Sequence, residues 1–129
     1  MIRTYVKTIT TTGGAGTSSG SATISLTKPG YLKAIGIDYT AEPATTDVTL
    51  TTRIGATAGF DSVVFSRQNS STDLGLTRVV AAAVDGSATA VAASAASPPP
   101  VIAGVLTIAV AQGDNNGTVK VVLVVDDNE

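Results

Sequence analysis

A catalytic reading of this chain needs carboxylates or nucleophile–base pairs, and the supply of both is thin. Only two glutamates occur, Glu42 and Glu129, so an acid–base pair would have to recruit Asp38, Asp47, Asp61, Asp73 or Asp85. Glycoside hydrolysis requires two carboxyl groups facing one another across a cleft at a set separation, and nothing in this spacing suggests such a pair. Most of these aspartates adjoin predicted turns or strand ends, where a short carboxylate caps backbone amides or stays solvated. The chain contains no His and no Cys. That removes the usual zinc ligands, the commonest general base and every Ser-His-Asp or Cys-His arrangement. No catalytic, cofactor-binding or metal-binding residue is expected, and no cofactor.

Three other groups of residues invite a chemical reading. Gly113-Asp114-Asn115-Asn116-Gly117 and the terminal Asp126-Asp127-Asn128-Glu129 offer oxygen ligands for calcium, but neither has the spaced acidic pattern of a calcium loop. Hairpin geometry already accounts for the first, and a solvated acidic end for the second. Residues 10–20, Thr10-Thr11-Thr12-Gly13-Gly14-Ala15-Gly16-Thr17-Ser18-Ser19-Gly20, lack the Lys-Ser/Thr ending of a phosphate-binding loop and precede no helix, so they read as a flexible connection. Hydroxyl-bearing rows, Ser21, Thr23, Ser25 and Thr27 or Thr49, Thr51 and Thr52, could form an ice-binding or sugar-binding surface. Sugar sites usually add aromatic platforms, and only Tyr5, Tyr31, Tyr39, Phe60 and Phe65 are available; the strand propensity of Thr explains the same pattern.

The elements that must carry these residues are strands. The chain of 129 residues fits one domain, and its apolar content is dominated by Ala and Val, so association is expected to add to a modest core. Period-two alternation recurs between Gly, Pro and Asn clusters, which predicts about eight strands in a single antiparallel β-sandwich, jelly-roll-like, covering 1–129. The expected strands are 2–9, 21–28, 31–40, 47–54, 60–66, 74–84, 101–111 and 118–126. A hairpin is expected to join 31–40 to 47–54, and another to join 101–111 to 118–126 through Gln112-Gly113-Asp114-Asn115-Asn116-Gly117. Residues 85–100, rich in Ala and Ser and ending in Pro98-Pro99-Pro100, read as a loop or arm with a short strand near Val91.

The last strand breaks the alternation. Val119, Val121, Leu123 and Val125 share one face, yet Val122 and Val124 make the other face apolar too. Such a strand is either covered on both sides or buried in a subunit interface. On this ground Val122 and Val124, with Val101, Ala103 and Val105 on the preceding edge, are the expected self-association residues. Single, scattered Lys and Arg and a net charge of −2 argue against nucleic acid. The longest apolar run, 101–111, is too short to cross a bilayer, so no membrane partner is expected. Met1 to Lys7 shows no apolar core of a secretory signal: either the protein is not exported by that route or the signal is absent from this sequence.

Gly30-Tyr31-Leu32-Lys33-Ala34-Ile35-Gly36-Ile37-Asp38-Tyr39, followed by Pro43-Ala44-Thr45-Thr46-Asp47-Val48-Thr49-Leu50-Thr51, resembles small structural proteins of tailed bacteriophages. Leu106-Thr107-Ile108-Ala109-Val110-Ala111-Gln112-Gly113 with Gly117-Thr118-Val119-Lys120-Val121 is similar to the same group. The resemblance implies a capsid decoration, or cement, protein: a compact sandwich, often trimeric, on the outer surface of the virion where subunits of the major capsid protein meet. It makes a homo-oligomer, with a trimer favoured, the expected state. Shell contacts are then expected from Ile2, Arg3, Tyr5 and Lys7, or from the arm at Val91, Pro98, Pro99 and Pro100. A carbohydrate-binding or adhesin-like module of a tail or fibre, using Tyr31 or Tyr39, is the alternative.

Overall fold

Thr, Val and Ile at alternate positions favour an extended, half-buried backbone, and the computed structural model is all-β. It describes residues 1–53, 61–79, 83–84, 90–91 and 99–127, and no helix occurs among them. The long strands are β1 (Ile2–Thr10), β2 (Ser18–Ser25), β3 (Gly30–Thr40), β4 (Asp47–Arg53), β5 (Asp61–Arg67) and β6 (Leu74–Arg78). Three two-residue strands follow, β7 (Ala83–Val84), β8 (Ala90–Val91) and β9 (Val101–Ile102), before the long β10 (Val105–Gly113) and β11 (Thr118–Asp126). The expected strand over 74–84 is thus represented by β6 and β7, and the expected strand near Val91 by β8.

Two antiparallel sheets pack face to face. The first has the order β1-β11-β3-β6, with β9 added on β3; the second has the order β2-β10-β4-β5. Among the eight long strands, the first pairs with the last (β1·β11), the second with the seventh (β2·β10), the third with the sixth (β3·β6) and the fourth with the fifth (β4·β5). This nested pairing is a long hairpin rolled around a core, the jelly roll. The β11·β3 and β10·β4 ladders close the roll.

The roll overturns both expected hairpins. β3 and β4 lie in opposite sheets, and so do β10 and β11. The connections 41–46 and 114–117 arch from one sheet to the other. Alternation sets which side of a strand is apolar but not which neighbour it pairs with, and a turn rich in Gly and Asn suits an arch as well as a hairpin. The strand expected over 101–111 also divides: β9 belongs to the first sheet and β10 to the second. The chain changes sheet at Ala103 and Gly104, where Gly104 has φ 68°, a left-handed value that costs glycine little.

Inward-facing residues form one core. Val119, Val121, Leu123 and Val125 of β11 are at most 1% exposed, and they meet Leu106, Ile108 and Val110 of β10, Leu50 and Val48 of β4, and Ile35 and Leu32 of β3 in one cluster. Thr52 also points inward, away from Thr49 and Thr51 with which it was grouped, because successive strand residues face opposite sides. Its hydroxyl donates to the Ala103 carbonyl at 2.7 Å and accepts from the Ala103 amide at 3.0 Å. The two bonds pin the chain where it passes between the sheets.

Candidate functional site

The pleat of the first sheet carries a second apolar surface on its outer side. Strand register sets Val6 beside Val122 and Thr4 beside Val124 across β1 and β11, and Gly36 and Ala34 beside the same two valines across β3. Val122 and Val124 are half-buried, whereas Val6 is 51% and Leu76 64% exposed. Gly36 has no side chain to fill the space between Val122 and Leu76, and a groove of about 440 Å³ opens there. Asp38, Asp73 and Lys120 also line it. Lys120 lies across from Asp38 in the β11·β3 ladder, and among the described residues no ion pair joins them.

Charge bounds this face at both ends of β11. Lys120 stands two residues before Val122 on the same side of the strand, and Asp126 two residues after Val124. Asp126 accepts from the Met1 ammonium at 3.4 Å, and Asp127, just beyond, receives the same ammonium at 3.1 Å and Arg3 Nε at 2.6 Å. The Arg3 hydrogen bond comes first among the causes that hold the Asp127 carboxyl below the usual carboxylate range.

The outer face of the second sheet is hydroxyl-rich. Thr23, Thr107 and Thr51 stand in one rank across β2, β10 and β4, and Ser21, Ala109, Thr49 and Ser66 form the next. The two rows noted in the sequence therefore meet on one surface, without Thr52 and without Thr27, which lies past the end of β2. No aromatic platform stands in either rank.

At one end of the roll the arches bind each other. Thr11 is fully buried; its hydroxyl lies 2.8 Å from Glu42 Oε1 and 2.7 Å from the Asp114 carbonyl. The Asp114 amide donates to Glu42 Oε1 at 3.1 Å, and the Thr11 amide donates to the Gly117 carbonyl at 2.9 Å. Asp114 and Asn115, considered above for calcium, accept instead from the amides of Gly16 and Gly13. The connection expected over 10–20 is therefore shorter, since Thr10 ends β1 and β2 begins at Ser18, and it is tied across to the 114–117 arch. A Cβ on Gly117 would overlap the Glu42 carboxylate, so glycine is required there by close approach.

Nearby, Tyr39 is 8% exposed and packs in the core, out of reach of a sugar. The Arg67 guanidinium sits 5.7 Å from its ring centroid, and the Tyr39 amide donates to Asp73 Oδ1 at 2.9 Å. Among the described residues its buried hydroxyl has no hydrogen-bond partner. Burial raises its pKa above the ordinary tyrosine value, with the Arg67 charge opposing.

The residues expected to mediate self-association divide between surfaces. Val122 and Val124 stand at the centre of the open face. Val101, 61% exposed, pairs with Tyr31 on β3 of the same sheet. Ala103 is held to Thr52 at the crossover, and Val105 lies between Ser25 and Arg53 on the second sheet. The expected shell-contact residues divide too. Ile2, 58% exposed, lies across from Asp126, whereas Arg3, Tyr5 and Lys7 alternate to the other side, opposite the core residues Val125, Leu123 and Val121. Tyr5 packs against the core. Pro100 is buried and its carbonyl accepts from the Leu32 amide at 3.0 Å; Pro99 is half-buried, Val91 pairs with Ala83, and Pro98 lies outside the described residues.

Sequence reasoning missed Val6, Gly36 and Leu76 as parts of the open face. Gly36 carried a signal, since a glycine inside a strand marks a place for a close neighbour or a bound partner. The corner of Thr11, Glu42 and Gly117 carried none, because its members lie in three separate connections. Comparison with family models, curated proteins and solved structures found no match to this chain.

Proposed function

We propose that this chain is a virion structural protein: a capsid decoration (cement) protein that binds the assembled head shell of a tailed phage from outside, acts as a homo-oligomer and catalyses no reaction. The open apolar face around Val6, Val122 and Leu76 carries the reading. A sandwich that has filled its core gains nothing internally from a second valine-bearing face, and such patches are covered by other proteins. The major capsid protein enters as partner through the resemblance of residues 30–51 and 106–121 to small phage structural proteins. The jelly roll, common among viral shell proteins, adds a fold-level analogy. The mechanism is mass action: a protein that binds only the assembled lattice stabilises it, repeated over many symmetric copies.

Quantitative mass spectrometry of virus particles purified from the source tests this, with copy number taken relative to the major shell protein. A ratio of one, or a simple fraction of it, is expected; absence from particles overturns the proposal. A carbohydrate-binding module of a tail or fibre is the second reading, favoured by the hydroxyl ranks on the second sheet. Glycan-array binding that disappears on Thr107→Val supports that reading in place of the first.

A further inference from the structure

The outward row of β11 reads Lys120, Val122, Val124, Asp126. Reversed end for end, valine falls on valine and each charge falls on its opposite. We infer that the open face of the first sheet is a two-fold interface between two copies of this chain, in which Lys120 of each meets Asp126 of the other. The inference rests on the reading of this face as an assembly surface, gives the face to a second copy in a defined orientation, and leaves shell binding to the rest of the surface.

Geometry and charge select this arrangement among the face-to-face pairings of two identical sheets. A two-fold axis lying in the interface across β11 at Leu123 runs the two β11 strands antiparallel, stacking Val122 on Val124 twice at the centre. An axis along the strand instead sets Lys120 over Lys120 and Asp126 over Asp126, which forfeits both cross-pairings. Packed sheets stand about 10 Å apart, a gap that a long lysine stem and a short aspartate stem span together. Asp126 keeps its contact with the Met1 ammonium, and an ionised carboxylate accepts from more than one donor at once. The floor at Gly36 keeps the neighbouring strand low, so the valines can meet. β1, β11 and β3, nine to eleven residues long, with the five-residue β6 at the edge, present roughly 500 Å² in projection at a strand spacing of about 4.8 Å, about the least that a biological pair covers on each partner. A trimer, by contrast, is built from heterologous contacts and has no use for a self-complementary row.

The test is sedimentation equilibrium and native mass spectrometry of the full chain, its charge variants and their mixtures. Wild type is expected at twice the chain mass. Lys120→Glu sets acid against acid, and Asp126→Lys sets lysine against lysine; each alone is expected to weaken the pair by tenfold or more, on the order of what close interfacial charge pairs contribute. Mixed one to one, the two variants restore both attractions in a heterodimer, and K120E/D126K restores them in a homodimer. Circular dichroism of each variant checks the fold, and Val122→Asp, which leaves both rim charges in place and puts a charge at the apolar centre, is expected to be monomeric. A monomeric or trimeric wild type overturns the two-fold pairing, and so does a dimer that is indifferent to these charges or a mixture that does not reassociate. Particle decoration is measured separately. A monomer or trimer found on purified shells sinks the pairing and leaves the proposed function standing, whereas a dimer absent from shells does the reverse.

Discussion

Two polar side chains in the interior behave in opposite ways, and the difference is whether their hydrogen bonds are made. Thr52 exchanges two bonds with Ala103. Thr52→Val keeps the shape and strands a buried amide and carbonyl, so a loss of about 1–3 kcal/mol is expected, while Thr52→Ser retains both bonds. Urea unfolding with an unchanged slope measures it, and equal midpoints for Val and Ser would show that the bonds contribute nothing. Tyr39 presents a buried hydroxyl without a partner, so Tyr39→Phe is expected to leave stability at pH 7 unchanged or raise it by up to about 1 kcal/mol. Its pKa is raised in the folded protein, so the unfolded chain ionises first as pH rises. The contribution is complete below the unfolded value of about 10 and is lost above it. Wild type should therefore lose stability above that pH more steeply than Tyr39→Phe. Parallel alkaline limbs in a series of thermal melts would contradict this.

Strands were legible in the sequence because alternation is local, and their partners were not because pairing is not. Ser21, Thr23 and Ser25 face out and Ile24 faces in, as period two requires. Nothing within β3 or β4 says that the short 41–46 connection leads across the core instead of back along the same sheet. The same blindness hid the corner where Thr11, Glu42 and Gly117 meet, although each is an ordinary loop residue in its own segment. On the open face the doubly apolar β11 pointed to Val122 and Val124, but Val6 and Leu76 join them only through register. The corner is where a connection can be tested: Gly117→Ala drives a methyl group into the Glu42 carboxylate and to within 2.7 Å of the Ala41 carbonyl. A cost of about 2–3 kcal/mol is expected from such overpacking, read as a lowered melting temperature. A wild-type melting point would mean that the three arches yield independently.

Across the whole molecule, nested pairing makes nearly every ladder non-local. β1 finds β11 with Ile2 opposite Asp126, and β2 finds β10 with Ser25 opposite Val105; among the long strands described, only β4 and β5 are neighbours in both sequence and space. Closing such loops delays the contacts that reward them, so refolding on the order of milliseconds to seconds is expected by stopped-flow fluorescence of the tyrosines. Microsecond refolding would be incompatible with this topology controlling the rate. The same arrangement has a mechanical side. Met1 and Asp127 meet at one rim, with the Asp127 amide donating to the Met1 carbonyl at 3.1 Å, so tension applied through those two points loads the β1·β11 ladder one rung at a time, as a zipper opens. Tension applied lengthwise along the two strands in opposite directions would instead load all nine paired positions at once. The molecule is thus weak to pulling at that rim and strong to shear along the sheet.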